Sequence, residues 1–200
     1  MKLYYSPGAC SLSPHIALKE AGIPHELVKV DLRAKTLAGG EDYNTVNPKG
    51  QVPALALDNG ELVTEGPVIV QMIADKAPAA GLAPASGTPE RYRLQEWLNF
   101  ISAEVHKTFS PLFNPAVPEE AKAVFRTRLN AKLAYIDSKL AGRDYLMGSQ
   151  FTVADGYLYT MLRWADGMKI DLSAMKNLTA YKERVAARPS VQAALKAEAA

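Results

Sequence analysis

Cys10 is the only thiol in a chain of 200 residues. It stands where the alternating run Lys2–Ser6, broken by Pro7-Gly8-Ala9, gives way to helical spacing from Ser11 to Ala21. A helix start offers unpaired amides and a positive dipole end, so a cysteine placed there is disposed to ionise and act as a nucleophile. Ser13 occupies the place where the second thiol of a Cys-x-x-Cys pair would stand, which excludes a dithiol cycle within this chain. His106 follows Asn99 and Ala103 at i, i+4, i+7, a spacing that puts all three on one face of a helix. A histidine so placed could handle a proton or donate a hydrogen bond. A third group lies between Val46 and Met72. There Gln51 and Val52 bring free amides, and Thr64-Glu65-Gly66-Pro67 reads as a helix start with one carboxylate and an early proline. Such an arrangement suits a small peptide with charged ends. Three histidines and one cysteine give no ligand pair at metal spacing. Neither a phosphate-binding glycine loop nor a hydrolase nucleophile elbow occurs, and His15 and His25 read as structural.

The elements that must position these residues are legible in order. Lys2 to Ser6 is a strand, Ser11 to Ala21 a helix closed by Gly22, and Glu26 to Val30 a second strand parallel to the first. Val52-Pro53 opens a third strand, since a proline inside a ladder would cost a hydrogen bond. Asp58-Asn59-Gly60 then turns the chain into Glu61–Thr64, Asn-Gly being a strong hairpin signal. A helix runs from Gly66 to Lys76. The order β-α-β, irregular link, β-β-α resembles the thioredoxin fold. Small residues with Pro and Gly mark residues 78–88 as a linker between domains at 1–77 and 89–200. Beyond it every pattern is helical: Thr88 to about Phe109, Pro118 to Leu140, Thr152 through Trp164, and shorter pieces near 178–187 and 191–197. Thr152 and Asp155 form a capping-box pair and read as structural. The expected class is therefore α/β plus all-α.

Composition narrows the function. No apolar run reaches the length of a membrane-spanning helix, and the N-terminus lacks an apolar signal core, so a cytoplasmic protein is expected. A single cysteine fits that reducing compartment. Residues 1–75 carry 6 basic and 9 acidic side chains against 17 and 12 in residues 76–200, a skew from −3 to +5. This is far from the basic stripe of a nucleic-acid binder.

The segment Pro7-Gly8-Ala9-Cys10-Ser11-Leu12-Ser13, the Val52-Pro53 strand entry, the acid Glu65 at a helix start, Glu104-Val105-His106-Lys107 and the Phe151–Asp155 box together resemble the bacterial beta-class glutathione S-transferases along the whole chain. The resemblance implies conjugation of the glutathione thiol to small hydrophobic electrophiles in detoxification, with glutathione as co-substrate and no metal. It implies catalytic roles for Cys10 and His106, with Ser11 and Tyr5 as hydrogen-bond partners. It places glutathione against Cys10, Lys35, Gln51, Val52, Pro53, Glu65, Gly66 and His106. Asn99 and Glu104 would reach a glutathione bound by the partner of a homodimer. Phe113 and Trp164 would wall the electrophile pocket. The Val52-Pro53 bond is expected to be cis. Gly66 departs from the serine more usual there, which removes a hydroxyl from the glutathione carboxylate. A glutathione-dependent thiol transferase or peroxidase and a non-catalytic ligand-binding protein are the other readings of the same scaffold.

Overall fold

The computed structural model describes residues 1–199. They form two compact units, one of residues 1–83 with the segment from Arg188 onward, the other of residues 84–187.

The first unit is built on a five-stranded sheet in the order β3 (Thr36–Leu37), β2 (Glu26–Asp31), β1 (Lys2–Tyr5), β4 (Ala54–Ala56), β5 (Leu62–Thr64). Alternation in β1 (Lys2–Tyr5) buries Leu3 and Tyr5. It pairs in parallel with β2 (Glu26–Asp31), Leu3 opposite Leu27, across the helix α1 (Leu12–Glu20), because parallel strands need such a crossover. Pro53 stands one residue ahead of β4 (Ala54–Ala56), where its missing N–H costs the ladder nothing. β4 runs antiparallel to β1, and the Asn59-Gly60 turn carries it into β5 (Leu62–Thr64), Leu55 opposite Val63. β3 (Thr36–Leu37) is an addition to the sequence reading: two residues pairing with Val30 and Asp31 are too few to show alternation.

Helix α2 (Gly66–Lys76) buries Ile69, Val70, Ile73 and Ala74. Seven successive residues of α1, Leu12 to Leu18, are buried, which is more than one helix face. The cause is that α2 and the last helix α9 (Pro189–Ala199) both pack against α1. Leu12, Ile16 and Leu18 are fully inaccessible, each contributing about 1.5–3 kcal/mol. Charge fixes α9 at both ends. Arg188 donates to both Glu20 oxygens, at 2.5 and 2.9 Å, with the Ser190 hydroxyl on the same carboxylate. Farther along, Glu198 meets His15 Nδ1 at 3.0 Å with both side chains inaccessible or nearly so. The sequence reading assigns residues 191–197 to the helical domain; in the structure α9 is part of the first compact unit.

The second unit is helical. Thr88 Oγ1 accepts the Arg91 amide at 3.2 Å and starts α3 (Pro89–Phe100). The backbone then widens into a π-helical stretch, Ile101–His106, and returns to α4 (Lys107–Phe113). The sequence pattern predicts one continuous α-helix here. α5 (Glu119–Leu140) buries Leu129, Leu133, Ile136 and Leu140 at helical spacing. α6 (Val153–Leu162) is buried on all sides, followed by the single-turn α7 (Trp164–Gly167) and α8 (Lys176–Ala186). Asp155 holds this region together. Its oxygens accept from Leu146 N (2.9 Å), Tyr181 OH (3.0 Å), Thr152 N (2.7 Å) and Thr152 Oγ1 (2.9 Å). Burial pushes its carboxyl up despite those bonds. Among the described residues no strand follows Thr64, and no helix is long and apolar enough to cross a membrane.

Candidate functional site

In the first unit the loop from Asn47 to Pro53 is the centre. Val52 is buried in a cluster with Val30 and Tyr43, which anchors the loop against the sheet. The Tyr43 hydroxyl and Asn47 Nδ2 both donate to the Gln51 carbonyl, at 2.9 and 2.7 Å. Gly50 has φ +58, and a Cβ there would lie 2.9 Å from Asn44 Oδ1, so glycine is favoured on two counts. The Val52-Pro53 bond is cis, as the sequence predicts.

Cys10 lies two residues before α1, and its carbonyl accepts the Ser13 amide at 3.2 Å. The thiol donates to the carbonyl of Val52 at 3.2 Å. The helix start, the thiol and the cis-proline loop thus meet at one point. Lys35, itself at φ +59, reaches the other end of the loop and donates from Nζ to the Gly50 carbonyl at 2.7 Å. Glu65 precedes α2 with φ +69 and ψ 110, a sparsely populated conformation that costs of order 1–3 kcal/mol. Its carboxylate pairs with Lys49 Nζ at 2.6 Å, and the same ammonium reaches Thr64 Oγ1 at 3.0 Å. The sequence reading passed over Lys49, because a lysine in a polar loop carries no pattern. Gly66 is the first residue of α2, and a Cβ there would meet only Pro53 Cγ, at 3.9 Å.

Two expected partners of the thiol are committed elsewhere. The Ser11 hydroxyl is buried, accepts from Ser6 N at 3.1 Å and donates to Ser6 O at 3.3 Å, closing the turn between β1 and α1. Tyr5 is buried beside His15, ring centroids 6.5 Å apart. Desolvation, and then the Glu198 carboxylate, push its phenol above the ordinary range.

In the second unit His106 closes the π-helical stretch. Bonds of the i→i+5 kind turn each residue through less than the usual 100° or so, so the i, i+4, i+7 face expected for Asn99, Ala103 and His106 is not an α-helical face. Asn99 and Glu104 are exposed, and Glu104 is ion-paired with Lys132 of α5. His106 is half-buried, with Nδ1 2.7 Å from the hydroxyl of Tyr157. Desolvation, with a smaller contribution from Lys107, lowers its pKa to about 4, so the ring is neutral at pH 7. Trp164 stands edge-on to His106, Phe109 and Phe113, at 5.1, 5.5 and 5.0 Å. The expected wall residues Phe113 and Trp164 are therefore in contact, Phe109 packs on Trp164, and Tyr157 packs on His106. Tyr157 lies within an apolar helix run, where an aromatic reads as core. Among the described residues no cluster could hold a metal ion.

Two family models match: the glutathione S-transferase N-terminal domain over residues 8–76 and the C-terminal domain over residues 100–189. Glutathione S-transferase GstA of Escherichia coli O157:H7 is 50% identical over 198 residues, covering 99% of this chain and 98% of that protein. The structure of a sphingomonad glutathione S-transferase complexed with glutathione superposes with a TM-score of 0.96 at 54% identity, covering 100% of this chain and 99% of that one. A bacterial beta-class glutathione S-transferase from Sphingomonas chungbukensis gives 0.96 at 52% identity, over 99% and 98% of the two chains. The chain belongs to the glutathione S-transferase family.

Proposed function

We propose that the protein is a glutathione transferase that joins the glutathione thiol to small hydrophobic electrophiles, with thiol transfer through Cys10 as a second activity. The observation that carries this reading is the Cys10 thiol on the Val52 carbonyl, at a helix start and beside a cis-proline loop flanked by Lys35 and Glu65. A tripeptide laid along Gln51-Val52-Pro53 finds a complement for each charge. Its α-ammonium meets Glu65, its γ-glutamyl α-carboxylate meets the Gly66 amide at the start of α2, and its glycine carboxylate meets Lys35. Lys35 keeps donors to spare beyond the Gly50 carbonyl, since an ammonium has three.

In conjugation the glutathione thiol gives up its proton, its sulfur forms a bond to carbon, and the leaving group departs with its electron pair. Cys10 helps by a hydrogen bond and by the positive helix end. The aromatic walls of Phe109, Phe113 and Trp164 receive an apolar electrophile, and neutral His106 supplies an N–H donor to charge developing on the reacting atoms. In thiol transfer the Cys10 thiolate attacks the glutathione sulfur of a disulfide between glutathione and another thiol, forms a mixed disulfide with that glutathione and expels the other thiolate. A second glutathione must then resolve it, since the chain has no other cysteine. Both activities need a supply of reduced glutathione, which supports a cytoplasmic location.

We read the molecule as a homodimer. Supporting this, Trp97, Phe100 and Tyr135 form a surface aromatic group, and an open groove of about 420 Å³ runs beside it between Phe100, Lys132 and Tyr135. Light scattering at micromolar concentration should give twice 21.7 kDa. The functional test is turnover of glutathione with an aryl halide and, separately, with a glutathione disulfide substrate. Absence of both activities together with measurable glutathione binding would mean a ligand-binding protein instead.

A further inference from the structure

Tyr157 is buried at 3% exposure on α6, and its hydroxyl lies within hydrogen-bond distance of a ring nitrogen of His106. The O···Nδ1 distance of 2.7 Å is that of a well-formed hydrogen bond. The Tyr157 and His106 rings stand nearly perpendicular, centroids 5.9 Å apart and planes at 82°, with Trp164 packed on His106 at 5.1 Å. The imidazole is thus held by one hydrogen bond and two aromatic neighbours. A neutral imidazole offers one lone pair and one N–H, and which nitrogen carries the proton depends on the partner of the other. The phenol oxygen's lone pairs are delocalised into its ring, whereas an imidazole nitrogen lone pair is a strong acceptor. The favoured direction of this bond is therefore O–H to nitrogen.

We infer that Tyr157 is a positioning residue: its hydroxyl donates to Nδ1 of His106, fixes the Nε2–H tautomer and so leaves Nε2 as a hydrogen-bond donor. The inference rests on the reading of His106 as a donor in the proposed reaction. It adds that the donor is created by a buried tyrosine acting through the imidazole. The π-helical stretch ending at His106 contributes by setting the ring at an angle that α-helical spacing would not give. Nothing in this device requires His106 to be charged, in keeping with a ring packed between Tyr157 and Trp164.

The test uses the full chain labelled with 15N. The ring nitrogens of its three histidines are assigned with a His106→Asn variant. At pH 7 the expected pattern for His106 is an unprotonated Nδ1 and a protonated Nε2. In Tyr157→Phe, which removes one oxygen and keeps the packed ring, the pattern should move to a mixture of tautomers. The His106 titration should also move upward, because a hydrogen bond to the neutral form has been lost. In kinetics kcat for aryl conjugation should fall about tenfold while KM for glutathione stays within about twofold. An Nδ1–H tautomer in the wild type overturns the inference, as does a Tyr157→Phe spectrum identical to wild type. If Tyr157→Phe does not fold, the wild-type ring spectrum alone decides it. If wild type shows the expected tautomer but turns over no electrophile, the functional reading fails and the placement of the proton stands.

Discussion

Removing His15 should cost more than removing Glu198, although they are partners in one interaction. The pair joins α1 to α9 at 3.0 Å, with 0% and 4% of the two side chains exposed. His15 Nε2 and Glu198 Oε2 have no hydrogen-bond partner, so the pair is held by one bond in a desolvated setting. His15→Leu strands a carboxylate away from water, a loss of about 3–5 kcal/mol. It also deletes the ring contacts to Tyr5 and His25, worth about 0.5–1.5 kcal/mol each. Glu198→Leu strands only an imidazole donor, at about 1–3 kcal/mol. For a chain of this size 1 kcal/mol moves the melting midpoint by about 2–4 °C, so the stranded carboxylate of His15→Leu alone should lower it by roughly 6–20 °C. The double variant should recover most of that loss, since replacing a buried pair by apolar residues of similar size is often neutral. Calorimetry with far-ultraviolet circular dichroism is the suitable assay, because both tryptophans lie in the other compact unit. Glu198→Leu costing as much as His15→Leu, or additive costs in the double variant, would refute the reasoning.

Cys10→Ala should abolish thiol transfer and the glutathione mass adduct formed with glutathione disulfide, while appreciable aryl conjugation remains; full thiol transfer in that variant would remove Cys10 from its role. His106→Ala should impair conjugation by about 10²–10⁴-fold at most, with a smaller effect on glutathione binding measured by calorimetry. Gly66→Ser fits, because a Cβ there meets only Pro53 at 3.9 Å. The added hydroxyl should lower KM for glutathione by up to about tenfold, a bond to a charged group being worth about 1.5 kcal/mol or more. His106 has a folded pKa of about 4, below its ordinary 6.5, so between those values the unfolded chain binds the extra proton. Stability should therefore be full above about pH 6.5 and fall by up to about 3 kcal/mol as pH drops to about 4; urea midpoints across that window that stay flat in wild type, or fall equally in His106→Ala, would contradict this.

Much of the first unit was legible because its signals are local. Asn59-Gly60 dictates a hairpin, Pro53 a strand entry, and Thr64–Pro67 a helix start, and each holds in the structure. The missed features depend on distant partners. Glu198 sits on the apolar face of α9 with Val191 and Ala194, and only His15, far off in sequence, explains a glutamate there. Ser11 and Tyr5 have the right types and positions for chemistry, but Ser6 and the core claim them. The π-helical stretch has no residue signature: Ile101 to His106 reads as ordinary helix, and the packing of Ile101 and Val105 takes up the widened turn. Lys49 is visible only once the loop has been folded onto Glu65.

The first unit is interrupted: the chain leaves it at Ala83 and re-enters at Arg188. A ribosome making this protein from its N-terminus therefore completes the sheet and α1 long before it delivers α9. During that interval the side of α1 that α9 will cover stays open to water or to a chaperone. At the usual pace of about 5–20 residues per second, the hundred or so intervening residues take several seconds. The helix that begins next to Cys10 thus acquires this neighbour only after the whole second unit has been made, and a product cut off before residue 188 would carry the thiol on a helix that is bare on one side.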